Sequence, residues 1–172
     1  NKKKVVGIEP CKNVEKITKK QKFSTYSKYW NNKTAKFLKQ KYSKFDLIFS
    51  ANTITHISKY NSVFSNISKI LDDKGTVIIE EPSLLETMRK NSYDQFYNEH
   101  IYVFSAIALQ NILKKNKLEI YKVEKLNIHG GSNRYFIKKI SDKKNIDKSF
   151  LKQIKNEKKY GLTNKKTYFK FA

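Results

Sequence analysis

The chain has 172 residues, and its 37 lysines and arginines against 15 acids give a formal net charge of +22. The single cysteine, Cys11, excludes an internal disulfide, and the length permits one domain with a hydrophobic core. No apolar run approaches the roughly 20 residues that cross a bilayer, and no signal-peptide pattern opens the chain. We therefore expect a cytoplasmic protein with no membrane partner.

A charge this positive is typical of proteins that bind nucleic acids. Here, however, only Arg89 and Arg134 carry the guanidinium group that phosphate and base recognition favours. The lysines are spread along the whole chain rather than gathered in one stripe. We expect no specific nucleic-acid partner, and a Lys-rich nucleic-acid-binding domain is the less favoured alternative.

In the first half of the chain, short apolar runs alternate with amphipathic segments. The apolar runs predict strands, and the amphipathic segments predict helices. The predicted strands are residues 4–10, 45–52 and 76–81, and the ambiguous segment 23–26 could form a further short strand. The predicted helices are 11–20, 31–41 and 58–71, with a turn at 72–75. Strands that alternate with helices in this way favour βαβ units and a parallel sheet.

The pattern changes in the second half. Two further helices are predicted at 84–90 and 105–115, and strands at 118–128 and 133–140 are separated by the sequence HGGS. A connection this short and rich in glycine indicates an antiparallel hairpin. Residues 142–172 are rich in lysine and helical in pattern.

The most informative segment is 92–105, which directly follows the predicted strand that ends in Glu80 and Glu81. It concentrates six proton-handling side chains: Tyr93, Asp94, Tyr97, Glu99, His100 and Tyr102. In open α/β sheets the ligand crevice lies beyond the carboxyl ends of the strands. The placement therefore predicts an enzyme that acts on a small molecule.

Glu9 closes the first predicted strand. An acid at the end of the second strand of a nucleotide-binding sheet accepts hydrogen bonds from ribose hydroxyls, whereas the alternative role is to open the next helix. The glycine-rich loop of such a sheet lies about 20 residues before that acid, and only eight residues precede Glu9. Together with the missing initiator methionine, this predicts that the chain is part of a longer protein.

A sheet that ends in an antiparallel hairpin is the layout associated with S-adenosylmethionine-dependent methyltransferases. On this interpretation Tyr29 and Trp30 stack on the adenine of the cofactor, although both could equally cap the core. Ser50 and Asn52 end the strand beside the expected methionine portion of the cofactor.

Five motifs give a more specific resemblance: VVGIEP, FDLIFSANTITHI, GTVIIEEPSLLE, SYDQFYNEHIYVFS and HGGSNRYFI. Their order and spacing resemble the nucleotide-sugar C-methyltransferases of deoxysugar pathways, and YDQxYxEH and HGGS are the distinctive parts. The resemblance implies an α/β fold: a partial Rossmann-like methyltransferase sheet that ends in an antiparallel hairpin, with a C-terminal extension.

The resemblance also implies a domain organisation. Residues 1–141 would form the partial methyltransferase domain, with an active-site insertion at about 83–104, and 142–172 would begin a C-terminal helical region. The family adds an N-terminal zinc-binding region and the glycine loop, and neither motif occurs in this sequence. Zinc is therefore expected only in that missing region, and no metal site in this chain.

The family methylates a sugar carbon beside a ketone on a nucleoside-diphosphate sugar, through an enolate formed by a base. By resemblance His100 matches the base, for which histidine is suited because its ordinary pKa is about 6.5. Glu99 and Tyr97 match neighbouring positions that orient the base or bind sugar hydroxyls. His56 matches a histidine that could hydrogen-bond the enolate oxygen. The plainer alternatives are a solvated His–Glu pair and a histidine at the edge of the core.

Two residues near the hairpin complete the predicted site. His129 in HGGS could contact the sugar nucleotide, although its glycine neighbours are first of all turn formers. Arg134 could pair with a phosphate or with a nearby acid. An O- or N-methyltransferase for another small molecule is the alternative enzyme, because a heteroatom nucleophile needs a base less than a carbon does.

Overall fold

Residues 4–172 are described by a computed structural model, and one structural unit ends at Ser43 while a second begins at Lys44. The first unit has the order β1 (Val6–Ile8), α1 (Lys12–Lys20), β2 (Ser24–Tyr26) and α2 (Asn32–Tyr42). Its two strands are parallel neighbours, with Gly7 beside Thr25. The predicted strand–helix–strand unit is therefore confirmed.

Local capping explains where α2 begins and ends. The Asn31 side chain accepts a hydrogen bond from the Thr34 N–H, which satisfies one of the free donors of the first turn. The helix stops at Ser43, whose φ of 66° leaves the helical region. Ala35 and Leu38 are buried on its inner face.

The second unit contains four strands and five helices. Their order is β3 (Phe45–Ala51), α3 (Tyr60–Ile70), β4 (Leu71–Pro82), α4 (Leu84–Arg89), α5 (Ala106–Lys115), β5 (Leu118–Leu126), β6 (Ser132–Lys139), α6 (Lys148–Tyr160) and α7 (Lys165–Phe171). Short 3-10 turns occupy Ile54–His56 and Tyr93–Gln95.

The four strands form one mixed sheet in the order β3-β4-β6-β5. β3 and β4 are parallel, whereas β6 runs antiparallel to both β4 and β5. The predicted antiparallel hairpin and the α/β class are confirmed. The predicted turn at 72–75 falls inside β4 rather than before it, because β4 begins at Leu71. Leu71 pairs with Phe45 and Thr76 with Leu47, so residues 72–75 lie in an irregularity of the ladder.

The core of this unit lies between the sheet and its helices. Strand alternation places Tyr135 and Ile137 of β6 inside, and both are fully buried. Helix α5 packs on β5 through Leu109 and Leu113.

A buried acid attaches the C-terminal helices to the sheet. Glu157 of α6 accepts hydrogen bonds from the Ala106 and Ile107 N–H groups at 2.8 and 2.9 Å, and Gln153 donates a third. The first amides of a helix have no partner within it and carry its positive dipole end. Glu157 therefore acts as a remote cap of α5.

The described residues contain neither a membrane-spanning helix nor a cluster of metal ligands. In residues 4–172, no helix is both long and apolar enough to cross a membrane. The same part of the chain holds no group of three or more His, Cys, Asp or Glu side chains arranged to bind a metal ion.

Candidate active site

The turn at Ile54–His56 lies just beyond the carboxyl end of β3, and the predicted active-site segment packs against it. The Thr55 carbonyl accepts hydrogen bonds from the Ile101 and Tyr102 N–H groups at 3.1 and 3.4 Å. In return the Thr55 hydroxyl donates to the Tyr102 carbonyl. These bonds join two segments that lie more than 40 residues apart in sequence.

This joint brings His56 and His100 together, with their ring centroids 5.1 Å apart. The His56 Nδ1 lies 2.8 Å from the Glu99 carbonyl oxygen. A carbonyl can only accept, so Nδ1 carries the proton and Nε2 holds the lone pair of the neutral ring. No hydrogen-bond partner for that Nε2 is found in residues 4–172.

His100 is held through both of its ring nitrogens. Nδ1 lies 2.9 Å from the Gln95 carbonyl oxygen, to which it donates, and Nε2 lies 2.6 Å from the Tyr97 hydroxyl oxygen. The Tyr97 hydroxyl therefore donates to the lone pair of Nε2. The outward nitrogen of His100 is thus the basic one, as a proton acceptor requires.

Of the two predicted orienting residues, Tyr97 contacts the His100 ring, and a backbone carbonyl takes the place expected for Glu99. Glu99 is exposed, and its backbone carbonyl rather than its carboxylate bonds to His56. Among the described residues, the Gln95 carbonyl and the Tyr97 hydroxyl orient His100. Tyr97 therefore lies beside His100, whose role as a base stays a prediction, and the Glu99 carboxylate makes neither of these bonds.

Asn52 and His129 also meet, although 77 positions separate them. The Asn52 Nδ2 lies 3.1 Å from the His129 Nε2. An amide nitrogen only donates, so His129 accepts, and the Asn52 Oδ1 is turned the other way. That oxygen is buried and has no partner among the described residues. Ser50 lies two residues earlier on β3, opposite Ile79 of β4.

Arg134 stands in a row of charges across the sheet. It lies directly opposite Glu80 of β4 and Glu124 of β5. Its Nε donates to Glu80 at 2.6 Å, and a terminal nitrogen donates to Glu124 at 3.2 Å. The acid-pairing alternative describes this geometry, and a phosphate contact by Arg134 stays a prediction.

Three predicted cofactor residues lie in the first unit. Glu9 follows β1, and one of its oxygens accepts a hydrogen bond from the Cys11 N–H at 2.8 Å. This contact corresponds to the alternative role of Glu9, in which the acid opens the next helix. Tyr29 is 75% exposed, whereas Trp30 is half-buried and has contacts within the structure. Their roles toward a cofactor stay predictions.

Sequence reasoning missed one acid at this end of the sheet, Glu81. It is completely buried, and its Oε1 accepts hydrogen bonds from the Thr53 and Ile54 N–H groups at 3.2 and 2.8 Å. Burial raises the pKa of the Glu81 carboxyl to about 7, although these backbone donors oppose the shift. The sequence signal was the pair of adjacent acids in β4, because strand alternation must send one of them inward.

The mixed sheet, with parallel strands followed by an antiparallel hairpin, defines the class of protein as one with the fold of S-adenosylmethionine-dependent methyltransferases. A solved methyltransferase of this kind from Anabaena variabilis has 13% identity and a TM-score of 0.61, over 79% of this chain and 68% of that one. The structure of PKMT2 from Rickettsia typhi, in complex with AdoHcy, has 11% identity and a TM-score of 0.59, over 86% and 46%.

Sequence comparison gives the family. Residues 1–123 match the family described as methyltransferase domain, and the chain belongs to that family. The chain is also 22% identical to the C-methyltransferase NovU of Streptomyces niveus over 169 residues, which are 98% of this chain. It spans 40% of the length of NovU. The predicted methyltransferase family is confirmed.

Proposed function

We propose that the protein is a C-methyltransferase that methylates a sugar carbon beside a ketone on a nucleoside-diphosphate deoxysugar. The observation that carries this proposal is the pair of histidines, His56 and His100, with rings 5.1 Å apart beside the ends of the parallel strands. Carbon methylation needs a base, because a C–H bond must be broken before the carbon becomes a nucleophile. The likeness to NovU, a C-methyltransferase, supports the same reaction class.

S-adenosylmethionine supplies the electrophilic methyl group when it is bound. One observation in each unit fits such a ligand. The Asn52 Oδ1, buried without a partner among the described residues, suits the ammonium of an amino acid moiety. In the first unit, Glu9 accepts from the Cys11 N–H through Oε1, and a carboxylate has further lone pairs that can accept from a ribose hydroxyl. Tyr29 offers an exposed ring for stacking.

In this proposal His100 removes the proton from the carbon beside the ketone. Its Nδ1–H is fixed on the Gln95 carbonyl, so Nε2 presents the lone pair. The Tyr97 hydroxyl occupies that lone pair and must turn away when substrate arrives. The turned hydroxyl can then donate to a substrate oxygen, so that Tyr97 binds substrate while His100 accepts the proton.

His56 is proposed to hydrogen-bond the enolate oxygen, and its geometry sets a condition. Because Nδ1 donates to the Glu99 carbonyl, Nε2 can donate only when the ring is an imidazolium. The reaction therefore requires a charged His56 beside a neutral His100. Glu99, with an exposed carboxylate, is proposed to bind sugar hydroxyls.

The proposal is tested with the full-length protein and a nucleoside-diphosphate keto-deoxysugar in deuterated water. The wild type is expected to exchange the hydrogen beside the ketone and to transfer the methyl group. His100→Ala is expected to lose the exchange and to lower kcat by about 10²- to 10⁴-fold, because it removes the general base. Unchanged turnover in His100→Ala would rule out the base assignment.

A matched tyrosine pair provides the control. Tyr97→Phe removes the hydroxyl that contacts His100, whereas Tyr93→Phe, four residues earlier, removes a hydroxyl that donates to the Phe171 carbonyl in α7. We expect reduced turnover in the first variant and little change in the second. Methyl transfer to oxygen or nitrogen, with no carbon-bound exchange, would instead identify the alternative enzyme.

A further inference from the structure

Glu81 stands apart from the predicted site residues because it is buried and faces no cation. Its side chain is 0% exposed, and among the described residues no lysine, arginine or histidine forms an ion pair with it. Its neighbour Glu80, by contrast, pairs with Arg134. A buried carboxyl without a cation is costly, so its retention at the end of β4 calls for a specific role.

The contacts of Glu81 lead directly to the two histidines. Its Oε1 accepts the Thr53 and Ile54 N–H groups, which open the short turn that ends at His56. The other side of that turn carries the bonds to Ile101 and Tyr102 and the His56 contact to the Glu99 carbonyl. One carboxyl oxygen therefore fixes the turn that carries His56 and that bonds to the backbone just after His100.

We infer that Glu81 is a positioning residue, which holds the 53–56 turn so that His56 and His100 face each other in the geometry that proton transfer requires. This inference rests on the proposed function for its catalytic consequence. Its structural part, the dependence of the turn on the Glu81 carboxyl, can be measured without any substrate.

The surroundings favour the protonated form of this carboxyl. The Glu81 Oε2 has no partner in the described residues, and neither has the Oδ1 of Asn133, which lies directly opposite on β6. The Asn133 amide nitrogen is committed to Ser83 and Tyr135. The Glu81 Oε2 and the Asn133 Oδ1 are thus two acceptors on one buried face with no donor between them. Protonation of the Glu81 Oε2 would supply that donor.

Among the described residues, the other titratable groups near this buried face supply no cation to Glu81. Tyr135 of β6 and Glu157 of α6 are both fully buried. Burial, together with the nearby acids Glu157 and Glu81, raises the pKa of the Tyr135 hydroxyl. His56, on the turn itself, points its Nδ1 to the Glu99 carbonyl instead. A neutral Glu81 still accepts through Oε1, so the turn is held without a buried charge.

The test compares substitutions of Glu81 in the full-length protein by amide hydrogen exchange and by the ¹⁵N resonances of the histidines. Glu81→Leu removes the acceptor at similar volume and is expected to speed exchange at Thr53 and Ile54 by about tenfold or more. Glu81→Gln keeps an acceptor oxygen and adds the donor that Asn133 lacks, so protection and the His56 signals should be retained. Unchanged protection in Glu81→Leu would overturn the inference.

Kinetics separate positioning from general loss of structure. With the keto-sugar substrate, Glu81→Leu is expected to lower kcat by about 10- to 100-fold, because small displacements of catalytic groups are costly. KM for S-adenosylmethionine should stay nearly constant, and Glu81→Gln should recover the rate. If the leucine variant does not fold, Glu81→Asp is used instead, because it withdraws the carboxyl by one methylene. This variant is expected to speed amide exchange at Thr53 and Ile54. Unchanged exchange in Glu81→Asp would also overturn the inference.

Glu80→Gln is the matched control, because it removes the neighbouring acid from the opposite face of β4. Glu80→Gln should leave exchange at Thr53 and Ile54 as in the wild type. If exchange were as fast in Glu80→Gln as in Glu81→Leu, a specific role for Glu81 would be contradicted. A wild type that transfers no methyl group, while Glu81→Leu loses protection of the turn, would refute the proposed function and leave the positioning role intact.

Discussion

Two rows of polar residues cross the sheet at the same end, and the protein accommodates them in opposite ways. On one face Glu80, Arg134 and Glu124 lie opposite one another on three strands and form two ion pairs. On the other face Glu81 and Asn133 are buried and keep one oxygen each without a partner among the described residues. Adjacent acids of one strand thus have a cation on one face and none on the other.

The difference shows that the environment, rather than the residue type, sets the charge of a carboxyl. Arg134 is about one-third exposed, so the charged row stays close to water, where ion pairs cost little to form. Glu81 is completely buried and has no cation partner among the described residues, and burial raises the pKa of its carboxyl to about 7. A group with that pKa changes its charge in the range where enzymes work.

The largest expected effect is a pH dependence of stability that comes from Glu81. Its pKa is raised from 4.5 to about 7, so its stabilising contribution is complete below pH 4.5 and is lost as the pH rises through 7. Between pH 5 and pH 8 we expect the free energy of unfolding of Glu81→Gln to gain about 2–3 kcal/mol relative to the wild type. Urea unfolding of both proteins at the two pH values measures this.

The control for this prediction is Glu80→Gln, on the charged face. The difference in free energy of unfolding between Glu80→Gln and the wild type should not shift in favour of the variant as the pH rises, because the Glu80 carboxylate is paired with Arg134. Parallel pH curves for the wild type and Glu81→Gln would mean that Glu81 is already charged in the folded protein, and the contrast between the two faces would then disappear.

A smaller effect is expected when the charged row is broken. Arg134→Met leaves Glu80, which is 8% exposed, without its cation and should lower the free energy of unfolding by about 1–2 kcal/mol. Adding Glu80→Gln to Arg134→Met should restore part of this loss, because the uncompensated charge is removed. A double-mutant cycle by urea unfolding provides the measurement, and additive losses would show that the pair is not coupled.

Much of the fold could be predicted from residue periodicity and turn chemistry. The helix at 105–115 and the strand at 45–52 agree with α5 and β3 to within one residue at each end, because apolar spacing and flanking polar residues mark both. The turn expected at 72–75 is an irregularity inside β4, because Leu71 pairs with Phe45 before these residues and Thr76 pairs with Leu47 after them. Local preference indicated the bend, but the pairing of Leu71 with a distant strand could not be predicted from it.

The site was predictable in its residue types but not in its hydrogen bonds. His100, Tyr97 and His56 follow from a resemblance of motifs, and they do come together in the fold. The groups that orient them are backbone carbonyls, such as that of Gln95, which every residue carries and no sequence distinguishes. Glu81 was missed for a related reason, because its partners are main-chain amides 27 and 28 positions away.

The smallest effect is expected for an acid that is exposed and fully paired. Asp73 lies between Lys139 and Lys44, and the hydrogen bonds and charges of these lysines lower the pKa of its carboxyl from 3.8 to about 2. Because this pKa is depressed, the stabilising contribution of Asp73 is present above pH 3.8 and is lost as the pH falls toward 2. Solvent screens the pair, so Asp73→Asn should cost the least of these substitutions.

The direction of the pH dependence distinguishes Asp73 from Glu81. The difference in unfolding free energy between Asp73→Asn and the wild type should be constant from pH 5 to pH 8 and should shrink only below pH 4, where acid unfolding curves record it. A difference that instead changed near neutrality would indicate that titration of another group, rather than pairing of this carboxyl with its lysines, controls the surface end of β4. The two acids of one strand therefore test opposite signs of one linkage relation: the buried carboxyl stabilises the fold when it is protonated, and the paired one when it is charged.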